Sequence, residues 1–166
     1  MLDQIIARLT RMLQFDHTVY REIAQDDEAT VQAALIVLVV AIASAIGSGI
    51  AGRSLILFLY ALIIQVPLGW LIWSAIVWLV GTKLFTGQAT FMAVLRVLGF
   101  AMAPSVLALL AVIPCLGWIA ALLGAILSLI LGFFAIRETM ELTTEKALLT
   151  IVIGWILRFL LGVFGL

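Results

Sequence analysis

From residue 31 onward the chain reads as long apolar runs separated by short polar breaks. A helix that crosses the ~30 Å hydrocarbon core of a bilayer needs about 20 such residues at 1.5 Å rise each. Residues 31–51, 55–80, 91–113, 116–136 and 147–166 each supply a run of that order. The second run is long enough to tilt or to extend past the core. Residues 97–136 contain no charge, so they read as two spans joined by a tight turn, at Pro114-Cys115-Leu116-Gly117. Polar residues mark the helix starts: Asp26 or Asp27, Ser54, Thr90, and Thr143 or Thr144. Ahead of the first run, Leu2, Ile5, Ile6, Leu9, Met12 and Leu13 recur at helical spacing, with Asp3, Gln4, Arg8, Thr10 and Arg11 off the stripe.

The pattern predicts an all-α polytopic membrane protein: five transmembrane helices preceded by a short amphipathic interfacial helix. Residues 1–28 form a cytoplasmic amphipathic segment and residues 29–166 a five-span membrane domain. The amphipathic helix has two equal readings. It lies in the inner headgroup plane with its arginines toward anionic lipid, or its stripe packs on the cytoplasmic ends of the protein itself. Docking to a partner protein is a third. Residues 1–28 are too polar for the apolar region of a signal peptide, so the first span is expected to double as the insertion signal.

Composition makes the membrane assignment firm. Of 166 residues, 66% are hydrophobic and 11% charged, with a mean hydropathy of +1.32, whereas soluble domains carry about 25% charged residues. A formal net charge of zero sets nucleic-acid binding aside, which needs a basic excess. One cysteine, Cys115, excludes an intrachain disulfide and a cysteine-based zinc site, and one histidine, His17, excludes most histidine-ligated metal or haem sites built within one chain. No cofactor is expected.

The charges are unevenly placed. Asp3, Arg8, Arg11, Asp16, Arg21, Glu22, Asp26, Asp27 and Glu28 fall in residues 1–28, and Arg137, Glu138, Glu141, Glu145 and Lys146 in residues 137–146. The rest are basic: Arg53, Lys83, Arg96 and Arg158. Counting Lys and Arg by side, a cytoplasmic N-terminus puts Arg8, Arg11, Arg21, Lys83, Arg137 and Lys146 inside and Arg53 outside. That chooses N-terminus in and C-terminus out. A four-span version, with residues 147–166 lying in the interface, would keep both ends inside.

Ionisable groups within a span need a reason. Arg158 lies 11 residues after Ala147, about 16 Å down a helix and near mid-membrane. No acidic residue lies in any span. Its partner is therefore a carbonyl, a lipid phosphate, a neighbouring subunit's carboxylate or the C-terminal carboxylate; the simpler reading is snorkelling to the outer headgroups. Arg96 reads as an interfacial anchor reaching back to the inner side. Pro67 removes a backbone hydrogen bond from the second span, and Gln65 offers an amide nearby. Pro104 does the same to the third. Two such helices can frame a cavity, as in transporters, but more often only shape packing. Ala120, Gly124, Ser128 and Gly132 form a small-residue row in the fourth span, and Ala41, Ala45 and Gly49 another in the first, for packing within the protein or between copies. Trp118, and with it Trp78, suits interfacial anchoring, whereas Trp70 and Trp73 lie deep enough to pack between helices. General acid–base catalysis lacks its usual players, and a proton-coupled pump lacks its intramembrane carboxylate.

Several segments together resemble a known family. The tail Asp16-His17-Thr18-Val19-Tyr20-Arg21-Glu22-Ile23-Ala24-Gln25-Asp26 leads into the first span. The third span begins Leu95-Arg96-Val97-Leu98-Gly99-Phe100-Ala101-Met102-Ala103-Pro104 and reaches Ile113-Pro114-Cys115-Leu116-Gly117. The fourth ends Ala135-Ile136-Arg137-Glu138, and Leu142-Thr143-Thr144-Glu145-Lys146-Ala147 opens the last. In order and spacing this resembles the Yip domain, the Ypt/Rab-interacting membrane protein family, in its short bacterial-type form, over most of residues 16–166. The resemblance implies a five-span fold with a cytoplasmic N-terminus, no enzymatic activity and a tendency to homo- or hetero-oligomers. Eukaryotic relatives are tied to vesicle traffic and to binding prenylated Rab GTPases, and they carry a long cytosolic N-terminal region. This chain has about 30 residues there, a departure that weakens any carry-over of Rab-type GTPase binding.

The expected function is a non-enzymatic scaffold or membrane-organising protein in a bacterial inner membrane, with lipids and other membrane proteins or copies of itself as partners. The alternatives are an accessory subunit of a larger membrane complex and, behind it, a small transporter or channel. The residues expected at packing or partner contacts are Arg158, Arg96, Gln65, Pro67, Gly99, Phe100, Pro104, Gly124, Ser128 and Gly132.

Overall fold

A computed structural model describes residues 1–52, 55–112 and 117–163. Every regular element among them is helical. The Pro114-Cys115-Leu116 turn, Arg53 and the Ser54 cap lie outside the described residues, as do the surroundings of Gly49.

Two short helices come first. Helix α1 covers Leu2–Leu13 and α2 covers His17–Gln25. The polar tail read from the sequence is thus itself a helix. Asp16 caps it, its carboxylate accepting from the Thr18 backbone N–H at 2.9 Å, and Val19, Tyr20 and Ile23 turn fully inward.

The apolar runs become α3 (Ala29–Gly52), α4 (Leu55–Tyr60), α5 (Val66–Lys83), α6 (Phe91–Ala101), α7 (Gly117–Thr139) and α8 (Thr144–Val163). Among the described residues, three segments are long and apolar enough to cross a membrane: Ala29–Ile46, Phe58–Lys83 and Gly117–Thr139. The expected caps hold where they are described. The Asp26 carboxylate accepts from the Glu28 N–H, Thr90 Oγ1 from the Ala93 N–H at 3.2 Å, and Thr143 Oγ1 from the Lys146 N–H at 3.4 Å.

The two prolines change helix type instead of only kinking a helix. Residues Ala61–Gln65 form a π-helical turn just before Pro67, which then sits in the first turn of α5, where a missing N–H costs least. Past Ala101 the third run continues as a 3₁₀-helix over Ala103–Val112, with Pro104 in its first turn. Both irregular turns occupy apolar segments, where local π and 3₁₀ adjustment re-satisfies freed backbone groups.

One end of the bundle gathers three connections. The Gln88 N–H donates to the Met140 carbonyl at 3.2 Å, joining the α5–α6 and α7–α8 loops. His17 Nδ1 lies 3.3 Å from Glu138, and Phe134 meets the rings of Phe15 and His17 edge-on. From that end α8 runs antiparallel along α5. Thr150 neighbours Gly81, Trp73 packs against Gly154 and Trp155, and Arg158 reaches Gly69. Gly69 and Arg158 each lie 14 residues from Lys83 and Thr144, about 21 Å of helix.

Packing buries the faces turned inward, such as Val40, Phe100, Leu131 and Ile136, and leaves Leu38, Leu71, Leu122, Leu149 and Phe159 exposed. Exposed aliphatic faces on three long apolar helices are what lipid would cover.

Candidate functional site

Polar chemistry concentrates in two places: a latch at the α1–α2 end and a cavity between the long helices.

The latch is built by arginines. Arg8, on the inner face of α1, donates from Nε to Glu22 at 3.1 Å, from Nη1 to the Gln32 amide oxygen at 2.8 Å and from Nη2 to Asp26 at 2.6 Å. Gln32 in turn donates to Gln4 at 3.2 Å. Arg11 bonds Asp16, Glu22 and the Thr18 hydroxyl at 2.8, 2.6 and 2.9 Å. The planar guanidinium presents its donors as a fork, so one residue can tie several acceptors in fixed geometry.

These contacts set the local acidities. A bond from the Thr18 hydroxyl, then the Arg11 guanidinium, lowers the Asp16 carboxyl to about 2. Arg11 and then Arg8 hold Glu22 below its ordinary range in spite of partial burial, and Arg8 does the same for Asp26. Burial pushes the Tyr20 phenol up to about 12, with the Glu138 charge adding to it. Burial alone would lower Arg8, but its bonds to Asp26 and Glu22 outweigh that and raise it.

The stripe on α1 is therefore divided. Ile5, Arg8 and Met12 face the protein, whereas Leu2, Ile6 and Leu13 remain exposed. Arg8 and Arg11, which one of the two sequence readings turns toward anionic lipid, bond carboxylates of α2 and its flanks, the arrangement of the other reading.

Arg96 shows the same behaviour. It is 8% exposed, donating from Nε to the Thr30 hydroxyl at 2.7 Å and from Nη1 to the Ala24 carbonyl at 3.1 Å, with Nη2 paired to Asp27. It does reach back toward the N-terminal end, but its partners are protein groups at the α2–α3 junction rather than headgroups.

The cavity, about 530 Å³, lies among α3, α5, the α6–3₁₀ segment, α7 and α8. Gln65, Ser128, Gly132 and Arg158 line it, so four of the ten singled-out residues come together there. Trp73 and Trp155 form one wall, their rings T-shaped at 6.5 Å. Ser105 and Ser128 hydrogen-bond one another at 2.9 Å across the 3₁₀–α7 contact. Arg158 Nη1 donates to the Gly69 carbonyl at 3.3 Å.

The small-residue row works inside the protein. A Cβ at Gly124 would stand 2.6 Å from the Pro104 carbonyl oxygen, and one at Gly132 3.9 Å from Leu98. Gly99 admits α3 and Trp70: an added Cβ would come 2.8 Å from Ala33 and 3.2 Å from the Trp70 ring. Trp70 fixes itself by donating to the Leu95 carbonyl at 3.0 Å, and Phe100 is fully buried beside it in the core. Ala41 and Ala45 are likewise buried, while Trp118 is 67% exposed, as an anchor would be.

Sequence reasoning missed Glu22, Asp26, Asp27, Thr30 and Gln32 as the partners of these arginines. The available signal was the run of acids beside a helical Val19–Tyr20–Ile23 spacing. Among the described residues, no group of three or more His, Cys, Asp or Glu is placed to hold a metal ion.

The family model for the Yip1 domain matches residues 12–166. No curated protein and no solved structure matches the chain.

Proposed function

The chain belongs to the Yip1 domain family, and on that premise we propose that it is a non-enzymatic membrane scaffold that crosses the bilayer five times and organises other membrane proteins or copies of itself. The single observation that carries this reading is the latch. Arg8, Arg11, Asp16, Glu22, Asp26, Gln4 and Gln32 bond one another and Arg96 ties Asp27 and Thr30 to α6, fastening a cap that leaves Leu2, Ile6 and Leu13 exposed along α1. A fixed cap with an apolar edge is suited to holding something else in place.

The antiparallel run of α8 beside α5 supports a fifth crossing. A helix lying in the interface would not reach Gly81 at one end and Gly69 at the other, about 18 Å apart along α5. The shared end that gathers α1, α2 and two loops carries Arg8, Arg11, Arg21, Lys83, Arg137 and Lys146, which supports a cytoplasmic N-terminus.

The test is extraction of the tagged chain from its native membrane in a mild detergent or polymer disc, with mass spectrometry of what remains bound. A scaffold retains a stoichiometric membrane-protein companion or a defined oligomer of itself. A monomer accompanied by lipid alone contradicts it. If the companions form one fixed complex, the narrower description is an accessory subunit.

The cavity favours a second reading, a small transporter. A π turn and a 3₁₀-helix interrupt the segments around it, and transporters build their sites from such interrupted helices. Solute flux in proteoliposomes that Gln65→Leu lowers would support it, and no flux from the unaltered chain would remove it.

A further inference from the structure

Arg158 differs from the other buried or membrane-level arginines. Arg8 and Arg96 each have an acceptor on all three guanidinium nitrogens. Arg158 has one hydrogen bond, 3.3 Å to the Gly69 carbonyl, and no ion pair among the described residues. A guanidinium carries five donors. A cation left at that depth without a counter-ion is costly.

This chain cannot supply a side-chain counter-ion there. All nine of its Asp and Glu residues fall within residues 3–28 and 138–145. The nearest along α8, Glu145, is 13 residues back, about 20 Å of helix. A second copy in the same orientation carries its acids at the same far end, so self-association does not supply one either. The abundant anion available to a lipid-facing guanidinium is the phosphate of the bilayer itself.

The surroundings suit that anion's attached chain. The cavity of about 530 Å³ falls within the range of roughly 300–1,000 Å³ that small-molecule sites occupy. Arg158 and Gln65 supply its polar donors. Trp155, Leu98 and Ile136 line it with apolar surface, and Ser105 and Ser128 satisfy each other. The guanidinium lies directly over Gly69, where a Cβ would be in ordinary contact with Nη2 at 3.4 Å.

We propose that this cavity is a binding site for an anionic phospholipid, with the phosphate on Arg158 and one acyl chain between α5, α7 and α8. The site rests on the membrane placement of α8 and not on the scaffold role. Loss of every protein companion in the extraction experiment leaves it standing.

The test uses the full chain with a C-terminal tag. The protein is reconstituted with equal phosphatidylglycerol and phosphatidylcholine, repurified, and its retained lipid counted by mass spectrometry. The unaltered chain retains phosphatidylglycerol enriched about fivefold, as one basic residue beside anionic lipid warrants. Arg158→Gln returns the ratio to that of the input, Arg158→Lys keeps part of the enrichment, and Lys146→Gln leaves it unchanged. Ala125→Trp, which fills the cavity without touching the charge, reduces lipid retention and stands in should Arg158→Gln fail to fold. Equal retention by Arg158→Gln and the unaltered chain overturns the site, as does the absence of any enrichment. Displacement of the lipid by excess inorganic phosphate, or stronger retention of a free fatty acid, overturns the assignment to a phospholipid.

Discussion

A Cβ at Gly124 meets backbone, the Pro104 carbonyl at 2.6 Å, whereas one at Gly132 meets only a leucine methyl at 3.9 Å. The two glycines of one row should therefore respond differently. Gly124→Ala forces α7 away from the 3₁₀ segment and costs about 1–3 kcal/mol. Gly132→Ala fits, and alanine's better helix propensity makes it neutral or stabilising by up to about 1 kcal/mol. Denaturant unfolding in micelles, followed by tryptophan fluorescence, separates them; equal effects would mean the row does not pack as described. Arg96→Leu removes bonds to Thr30, Ala24 and Asp27 and should cost the α2–α3 junction about 2 kcal/mol. Amide exchange over residues 17–30 should speed up, and unchanged protection would contradict the assignment. At this scale the small-residue row and the depth of Trp70 were legible in the sequence, because small residues at a spacing of four announce a flat helix face. The partners of Arg96 were not legible. They lie 66 to 72 residues away, and no local pattern reports a contact that only tertiary folding makes.

Among the elements, α1 and α2 are held by carboxylates whose acidities are lowered. Asp16 titrates at about 2, and Glu22 and Asp26 below their ordinary values of 4.5 and 3.8. A depressed folded value means that the ionised form is favoured in the latched state. The contribution is thus fully present above the unfolded values and is lost as pH falls through the folded ones. The latch should be intact at pH 6 and above and should loosen from about pH 4 downward. Exchange protection of residues 2–25, corrected for the intrinsic rate, should fall over that window while α7 keeps its own; protection that is flat with pH would show that the ion pairs do not hold the cap. The sequence announced α1 through its stripe and the long helices through their apolar runs. It hid α2, because a nine-residue helix rich in polar residues shows only Val19, Tyr20, Ile23 and Ala24 as apolar positions. It also hid the helix types at Ala61–Gln65 and Ala103–Val112. A proline says that an α-helical bond is missing, but the neighbours decide whether the backbone answers by a kink, a π turn or a 3₁₀ stretch.

For the whole molecule, the apolar composition and the Yip1 domain match over residues 12–166 agree on a membrane protein. The proposed scaffold and lipid site both rest on one proposed arrangement: five crossings, with α1, α2 and the loops at 84–90 and 140–143 on one side. α8 is the decisive element: the sequence reading takes it as a fifth crossing but leaves a four-span alternative open at Arg158, and its contacts run along α5 from Gly81 to Gly69. The direct measurement is sided labelling in sealed membranes, with single cysteines placed at Thr10, Gln88, Thr143, Leu55 and Trp118 in a Cys115→Ser background, and an epitope appended after Leu166. Five crossings predict that Thr10, Gln88 and Thr143 react from one side and that Leu55, Trp118 and the epitope react from the other. An epitope on the same side as Thr10 would contradict them.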